Sequence, residues 1–283
     1  MTRTVIAVVL ASVTMLAQQK APQFRSRTDG VPLNVSVFQG DRVVTNLKAS
    51  DFEIIDNGVR QTVASADFDR LPLDLRLVFD TSGSISDDEL KRYEGMMRRV
   101  AEDLEPTDRG EIITFNTKLA EAADRRHPPL VVNLKRAGLD GTAFFDAGLA
   151  VMTTVGMSDR RQMTILLSDA VDNESFFDEE MLFEAARRTD SVVYSVLPGN
   201  SLRGRALSEQ RLDYLSTVTG GRLIKTVPSD VANTITRTIG EFRQSYLLQY
   251  DVTGVPVPGW HKVEVKVKGG GYKIRTRKGY YGK

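Results

Sequence analysis

The chain has 283 residues, enough for one large domain or two modest ones, and its 41% hydrophobic and 27% charged content is ordinary for a globular protein. Lys plus Arg (38) balances Asp plus Glu (37), which leaves no global charge to attract nucleic acid or an anionic membrane. Cysteine is absent, so the chain has neither a disulfide nor a lipoprotein cysteine, and any fold must be held by its core alone.

Behind Arg3, residues 5–17 are uncharged and mainly apolar. That is about the length of a signal-peptide core and too short to span a bilayer comfortably. The run gives way abruptly to Gln18-Gln19-Lys20. The expectation is a signal peptide over 1–17, cut after Ala17 although Met15 is a poor residue at that offset. The product would be an exported protein, periplasmic or extracellular, with no membrane span. A buried terminal strand or helix is the alternative.

Residues 24–72 read as β structure. Apolar positions alternate through Val31–Phe38, and Asp56-Asn57-Gly58 is a hairpin turn, since Asn-Gly tolerates positive φ. The middle of the chain alternates strand and helix. Strands are predicted at Leu75–Phe79, Glu111–Phe115, Gln162–Leu167 and Val192–Leu197. Helices are predicted over 87–104, near 144–154, 179–188 and 206–218, and over 230–244. Repeated strand–helix units imply a mainly parallel sheet covered on both faces. From 246 to 283 the pattern is β again: Tyr246–Tyr250, then His261–Lys268 with Val on one face and charge on the other, then Tyr272–Arg277. Neither end has enough strands to bury a core alone. The economical fold is α/β, a mainly parallel doubly wound sheet over 73–245. It would be inserted in a small antiparallel β-sandwich that 24–72 and 246–283 build together.

The chemistry-bearing run is Asp80-Thr81-Ser82-Gly83-Ser84, at the carboxyl end of the first parallel strand, where open α/β sheets bind ligands. One carboxylate and two hydroxyls, with no His or Cys, suit a hard cation such as Mg²⁺ or Ca²⁺. Alone the string is weak, because Asp and Ser also favour turns and caps. Two later segments strengthen it: the strand ending at Ser168-Asp169, and the loop Leu139-Asp140-Gly141-Thr142 running into a helix.

This trio resembles the metal-ion-dependent adhesion site (MIDAS) of von Willebrand factor type A domains, also found in integrin I domains: D-x-S-x-S, then a Thr, then an Asp. Asp80, Ser82, Ser84, Thr142 and Asp169 fill all five positions in the family's order, and the resemblance covers roughly residues 73–245. It implies that Ser82 and Ser84 ligate the cation directly, with Thr142 joining when a ligand is bound. Asp80 and Asp169 would hold the metal's waters. The implied cation is Mg²⁺, with Mn²⁺ or Ca²⁺ as alternatives. The implied partner is a protein that supplies an Asp or Glu carboxylate, and the implied function is adhesion-type binding without catalysis. Two other functions compete: a structural domain whose metal only stabilises loops, and a Mg²⁺-dependent hydrolase or phosphotransferase with Asp80 as nucleophile. The enzyme lacks parts, since Ser82 stands where haloacid-dehalogenase enzymes place a second Asp and there is no Gly-rich Walker loop.

Other polar residues have simpler readings. Asp87 and Asp88 fit a second-cation position known in integrin β domains, but Ser86-Asp87-Asp88-Glu89 also has the form of a capping box. Asp172 and Glu174 read as solvated loop acids, His127 as an exposed loop histidine, and His261 as a residue with no chemical neighbour in sequence. Core packing is the simpler role for Phe144, Phe145, Phe176 and Phe177, with the rim of the site as the alternative. The pairs Arg98-Arg99, Arg160-Arg161 and Arg187-Arg188 read as solvated faces.

Overall fold

The computed structural model describes residues 30–68, 71–82, 87–126, 141–156, 159–199 and 205–282. Residues 1–17, where a signal peptide is expected, Ser84 and His127 lie outside the described residues. The first strands are β1 (Gly30–Gln39), β2 (Arg42–Val43), β3 (Phe52–Asp56), β4 (Val59–Gln61) and β5 (Val63–Phe68). The alternating region runs β6 (Leu73–Asp80), α1 (Asp87–Glu102), β7 (Arg109–Phe115), β8 (Leu119–Arg126), α2 (Phe144–Thr153) and β9 (Arg161–Leu167). It continues with α3 (Glu179–Arg188), β10 (Val192–Pro198), α4 (Arg205–Thr219), β11 (Leu223–Thr226) and α5 (Val231–Arg243). The chain closes with β12 (Tyr246–Asp251), β13 (Gly259–Val267), β14 (Lys273–Arg275) and β15 (Gly279–Gly282).

The central sheet has the order β11-β10-β9-β6-β7-β8 and is parallel except for β8 at one edge. Every residue of β6 is buried, as a strand covered on both faces requires. Side-chain alternation splits β6 between two cores. Leu73, Leu75, Leu77 and Phe79 pack with α1 and α5, whereas Val78 faces α2, α3 and α4. Two strands went unanticipated. β8 is short of large apolar residues and returns through a tight turn in which Asn116 Oδ1 accepts from Lys118 N–H at 2.9 Å. β11 has four residues and sits where Gly221 lets the backbone pass the Val193 carbonyl, which a Cβ would meet at 1.9 Å.

The two ends of the chain pair directly. β12 lies antiparallel between β1 and β5, and β13 lies antiparallel against β3 and β15. Leu33, Val35 and Val37 share one buried cluster with Ile54, Tyr246, Leu248, Tyr250, Val263 and Val267. The hairpin between β3 and β4 turns through Asn57 and Gly58 at φ 45° and 86°. Its first residue, Asp56, is fully buried and accepts hydrogen bonds from Tyr250 (2.9 Å) and Tyr280 (2.8 Å). His261 lies 2.8 Å from the same carboxylate through Nδ1, and its Nε2 faces the Val257 carbonyl at 2.9 Å. Burial raises both phenols above their ordinary range, so they remain donors to Asp56. His261 is therefore a buried structural residue with partners that no local sequence pattern reveals.

Of the basic pairs, Arg98-Arg99 is exposed as read, whereas Arg160-Arg161 departs from its solvated reading. Arg161, at the start of β9, is buried. Its guanidinium stacks on Phe242 at 4.3 Å and donates to Asn34 Oδ1 on β1 (3.1 Å), to the Phe242 carbonyl (2.9 Å) and to the Arg243 and Ser245 carbonyls. Carbonyls at a helix C-terminus lack intrahelical donors and carry partial negative charge, which a guanidinium satisfies.

Glu241 on α5 makes a second tie, receiving Arg222 (2.9 Å) and Arg275 on β14. Burial alone would raise its carboxyl, but the two guanidiniums outweigh burial and hold it below the ordinary carboxylate range. A depressed carboxylate contributes stability above its unfolded pKa and loses it as pH falls through the folded value. Glu241→Gln should therefore lower unfolding free energy by about 1–2 kcal/mol at pH 7. Urea titrations should find that deficit constant down to about pH 4.5 and shrinking below it. A deficit that grows on acidification would contradict the assignment.

Candidate metal centre

The carboxyl ends of β6 and β9 deliver Asp80, Ser82 and Asp169, and the Thr142 segment ahead of α2 docks against the end of β7. Asp80 closes β6 and is 8% exposed. Its Oδ1 accepts the Ser82 backbone N–H at 3.0 Å and its Oδ2 accepts the Ser168 hydroxyl at 2.8 Å. Burial raises the Asp80 carboxyl above its ordinary pKa and the Asp169 charge pushes the same way, against the Ser82 and Ser168 hydrogen bonds that lower it. Ser82 is half-buried beside Asp80. Thr81 turns back to β7, with both its N–H (2.7 Å) and its hydroxyl (3.1 Å) donating to the Phe115 carbonyl.

Asp169 stands two residues beyond β9 and is exposed. Its Oδ1 accepts Val171 N–H at 3.1 Å, across an Ala170 held at φ 54°. A non-glycine residue in the left-handed region is uncommon and marks a constrained turn. The turn is fixed by Ser168 Oγ, which accepts Ala170 N–H at 2.9 Å while donating to Asp80. Ser168 therefore joins the two strand ends. Sequence reading had placed it only as the residue before the carboxylate.

Thr142 is buried on a third loop and is bound by backbone contacts on both sides. Its N–H donates to Asn173 Oδ1 at 2.7 Å, and its carbonyl accepts the N–H of Asn173 (3.0 Å) and Glu174 (3.2 Å). Ala143 N–H donates to the Asn116 carbonyl at 2.6 Å, which ties the loop to the end of β7. Gly141 is required by close approach: a Cβ there would lie 2.4 Å from Glu174 Cγ and 2.8 Å from Thr117 Cγ2.

The structure brings Asp80, Ser82 and Asp169 together at the β6 and β9 ends. It ties the Thr142 loop to β7 and to the segment after Asp169. Nothing is described of the side chains of Asp87 and Asp88, at the first turn of α1. Among the described residues, no three His, Cys, Asp or Glu cluster as a metal site, so a metal here would depend on hydroxyl oxygens.

Asp172 is not simply a solvated acid. Its Oδ2 accepts Phe145 N–H at 3.0 Å and bonds the Ser175 hydroxyl, capping the start of α2. Asp146 returns the favour, its carboxylate accepting the N–H groups of Phe176 (3.0 Å) and Phe177 (2.9 Å). Of the four phenylalanines read as core, Phe144 is buried and Phe145 packs against its cluster. Phe176 is 88% exposed and Phe177 is exposed beside it. The loop is locked by hydrogen bonds, which frees these rings from a packing role.

Two solved structures share this arrangement of sheet and helices. One is VWA2, the ArnB paralog from Sulfolobus acidocaldarius, at TM-score 0.51 and 13% identity, covering 87% of this chain and 75% of that one. The fold is that of a von Willebrand factor type A domain. The other is proximal thread matrix protein 1 of the mussel byssus, with a zinc-occupied MIDAS motif, at TM-score 0.50 and 12% identity. That match covers 62% of this chain and 49% of the mussel protein, so the chain spans about half of the protein it matches. No protein-family model and no curated protein matches the sequence.

The two-way lock between Asp146 and the Phe176 loop of this VWA fold is testable. Asp146→Asn leaves one carbonyl oxygen where two carboxylate oxygens accept N–H groups, and it removes a first-turn charge that suits the helix dipole. The expected loss is about 1–2 kcal/mol. It should appear as a lower urea midpoint with an unchanged slope, and an unaltered midpoint would show the lock to be dispensable.

Proposed function

We propose that the chain is an exported, divalent-cation-dependent protein-binding module of adhesion type, and not an enzyme. The observation that carries the reading is the placing of the buried Asp80 beside the end of β9 that carries Asp169: burial chiefly, and the Asp169 charge to a lesser degree, disfavour a bare carboxylate at Asp80. A cation at this place would offset that repulsion. The residues fit such a group: Asp80, Ser82, Thr142 and Asp169 are oxygen donors on three loops at one end of the sheet, and Ser84 completes the set in sequence. Mg²⁺ suits this donor set, with Mn²⁺ or Ca²⁺ as alternatives. The mussel protein's zinc-occupied MIDAS supports a divalent cation without choosing one. Bound there, the cation would supply an electron-poor position open to a partner's Asp or Glu.

In this reading Ser82 and Ser84 ligate directly, Thr142 joins when the partner binds, and Asp80 and Asp169 hold waters. The segment 1–17 is a signal peptide, which directs the chain to the periplasm or outside the cell. Among the described residues no helix is long and apolar enough to cross a membrane. Residues 24–72 and 246–283 form one β-sandwich that carries the VWA domain 73–245. Asp146, Asp172 and Asn173 fasten the Thr142 and Asp172–Phe177 segments through hydrogen bonds of their own, which leaves a loop-stabilising metal less to do there.

Two substitutions test the site. Asp80→Ala should abolish Mg²⁺ or Mn²⁺ binding in calorimetry while leaving Leu77 and Phe79 to pack; equal affinity in mutant and wild type would end the site assignment. Thr142→Ala should weaken partner binding at least tenfold while changing metal affinity by less than about threefold, because only a contact that differs between states shifts binding. The partner would come from a pull-down repeated with and without EDTA. A metal loss as large as that of Asp80→Ala, or unchanged partner affinity, would reject this role for Thr142.

A further inference from the structure

At the opposite end of the parallel sheet lies a concavity of about 400 Å³. Its walls are the Thr153–Gly156 segment after α2, the Arg188–Ser191 turn after α3, and the faces of β1 and β12. That volume is in the range of small-molecule pockets. The amino ends of β9 and β10, at Arg161 and Val192, reach into it, so it is remote from Asp80 and Asp169 at the carboxyl ends.

The charge of this lining is one-sided. Arg76, Arg160, Arg161, Arg188 and Arg277 all contribute, against one acid, Asp190. Some of that charge is compensated outside the pocket: Glu111 meets Arg76 at 3.1 Å, Asp159 meets Arg160 at 3.7 Å, and Glu184 meets Arg188 at 3.7 Å. Two buried guanidiniums nevertheless keep capacity. Arg76 is 2% exposed and its Nη2 has no acceptor. Arg277 has its side chain 11% exposed and spends Nε on the Gly279 carbonyl and Nη2 on the Arg187 carbonyl. Its Nη1 stands 3.8 Å from an Asp190 whose side chain is 84% exposed and therefore screened by water. Burial lowers the Arg277 pKa, the mark of a desolvated cation short of countercharge. A buried donor without an acceptor is uncommon in folded proteins and calls for a partner. Apolar surface from Leu71, Met152 and Leu247 lines the same space, so it offers a guanidinium field and a hydrocarbon wall together.

We propose that this pocket binds a small organic anion, a carboxylate or a phosphate monoester, with its oxyanion paired to the pocket's guanidiniums and its carbon body against the apolar wall. Planar guanidinium forks match both oxyanions. Arg188, with its side chain 59% exposed and its guanidinium 3.8 Å above the Tyr281 ring, provides a cation that is not itself buried. The site is independent of the cation-binding reading and would stand if that reading failed.

Calorimetric titration of the full chain with benzoate, phenyl phosphate and neutral benzamide tests the proposal. At least one of the two acids should bind saturably at one site, at least tenfold tighter than benzamide, and the stronger acid identifies the headgroup. Arg188→Glu reverses an exposed charge without disturbing the core and should weaken the acid at least fivefold. Arg76→Gln should remove binding altogether; if that variant does not fold, Arg188→Glu decides. Asp80→Ala should leave acid affinity unchanged. The proposal is overturned if neither acid saturates by about 10 mM, if benzamide binds as well as the acids, or if Arg188→Glu has wild-type affinity. A loss in Asp80→Ala equal to that in Arg188→Glu would move the anion to the metal centre and overturn it too.

Discussion

Arg161 is the side chain through which the parallel sheet, its last helix and the flanking strands meet. Burying a guanidinium is costly unless its donors are satisfied, and its fork reaches β1, the end of α5 and the turn into β12 at once. Arg161 N–H also donates to the Pro72 carbonyl at 2.9 Å, so the chain's entry into the central sheet is fixed beside its exit. Loss of this one group would take the Arg161 donor from the Arg243 and Ser245 carbonyls and leave the Phe242 carbonyl with the Ser245 hydroxyl. The expense of removing it is therefore larger than that of any single hydrogen bond it makes.

With entry and exit pinned at the amino ends of the strands, the carboxyl ends are free to vary. Parallel strands need crossovers, and the helices that supply them cover both faces, which leaves the loops at one rim as the places where polar groups can converge. Asp80, Ser168-Asp169 and the Thr142 loop all arise there. Their mutual positions are set by groups that never read as functional: Thr81 to β7, Ser168 between the strand ends, Asn173 under Thr142. The same division of labour puts the arginine-lined pocket at the other rim, where strand starts and the flanking sheet enclose it.

The alternation of strand and helix from β6 to α5 was legible, because buried parallel strands read as continuous apolar runs and the helices carry long amphipathic faces. Asp80, Ser82, Thr142 and Asp169 were legible for a related reason, since each falls at the end of such a run or at the start of a helix. β8 and β11 were not: one is an edge strand built largely of Ala and charge, the other has four residues and depends on Gly221 passing a carbonyl. Arg161 read as a solvated charge because nothing in its neighbourhood says that a helix C-terminus from eighty residues away will cover it. His261 and Asp56 were missed on the same ground, being partners across more than two hundred residues. Phe176 and Phe177 looked like core because apolar pairs usually are, and only the Asp146 carboxylate explains how a loop holds them in water.

That carboxylate also bears on how the rim tolerates its own charge. Asp80 sits where burial and Asp169 both raise its carboxyl, and two hydrogen bonds from Ser82 and Ser168 do not fully offset them. A loop set that relied on those charges for its shape would be frail at low pH or without a cation. Here the shape is carried by other bonds: Asn173 to Thr142, Asp172 to Phe145, Asp146 to the Phe176 loop. The strain of juxtaposed carboxylates is thereby confined to the few atoms that a cation would meet. The Thr142 and Asp172–Phe177 segments are thus shaped by their own hydrogen bonds, so that a cation bound beside them would relieve repulsion without having to order those two segments, and more of its binding free energy would remain for an incoming carboxylate.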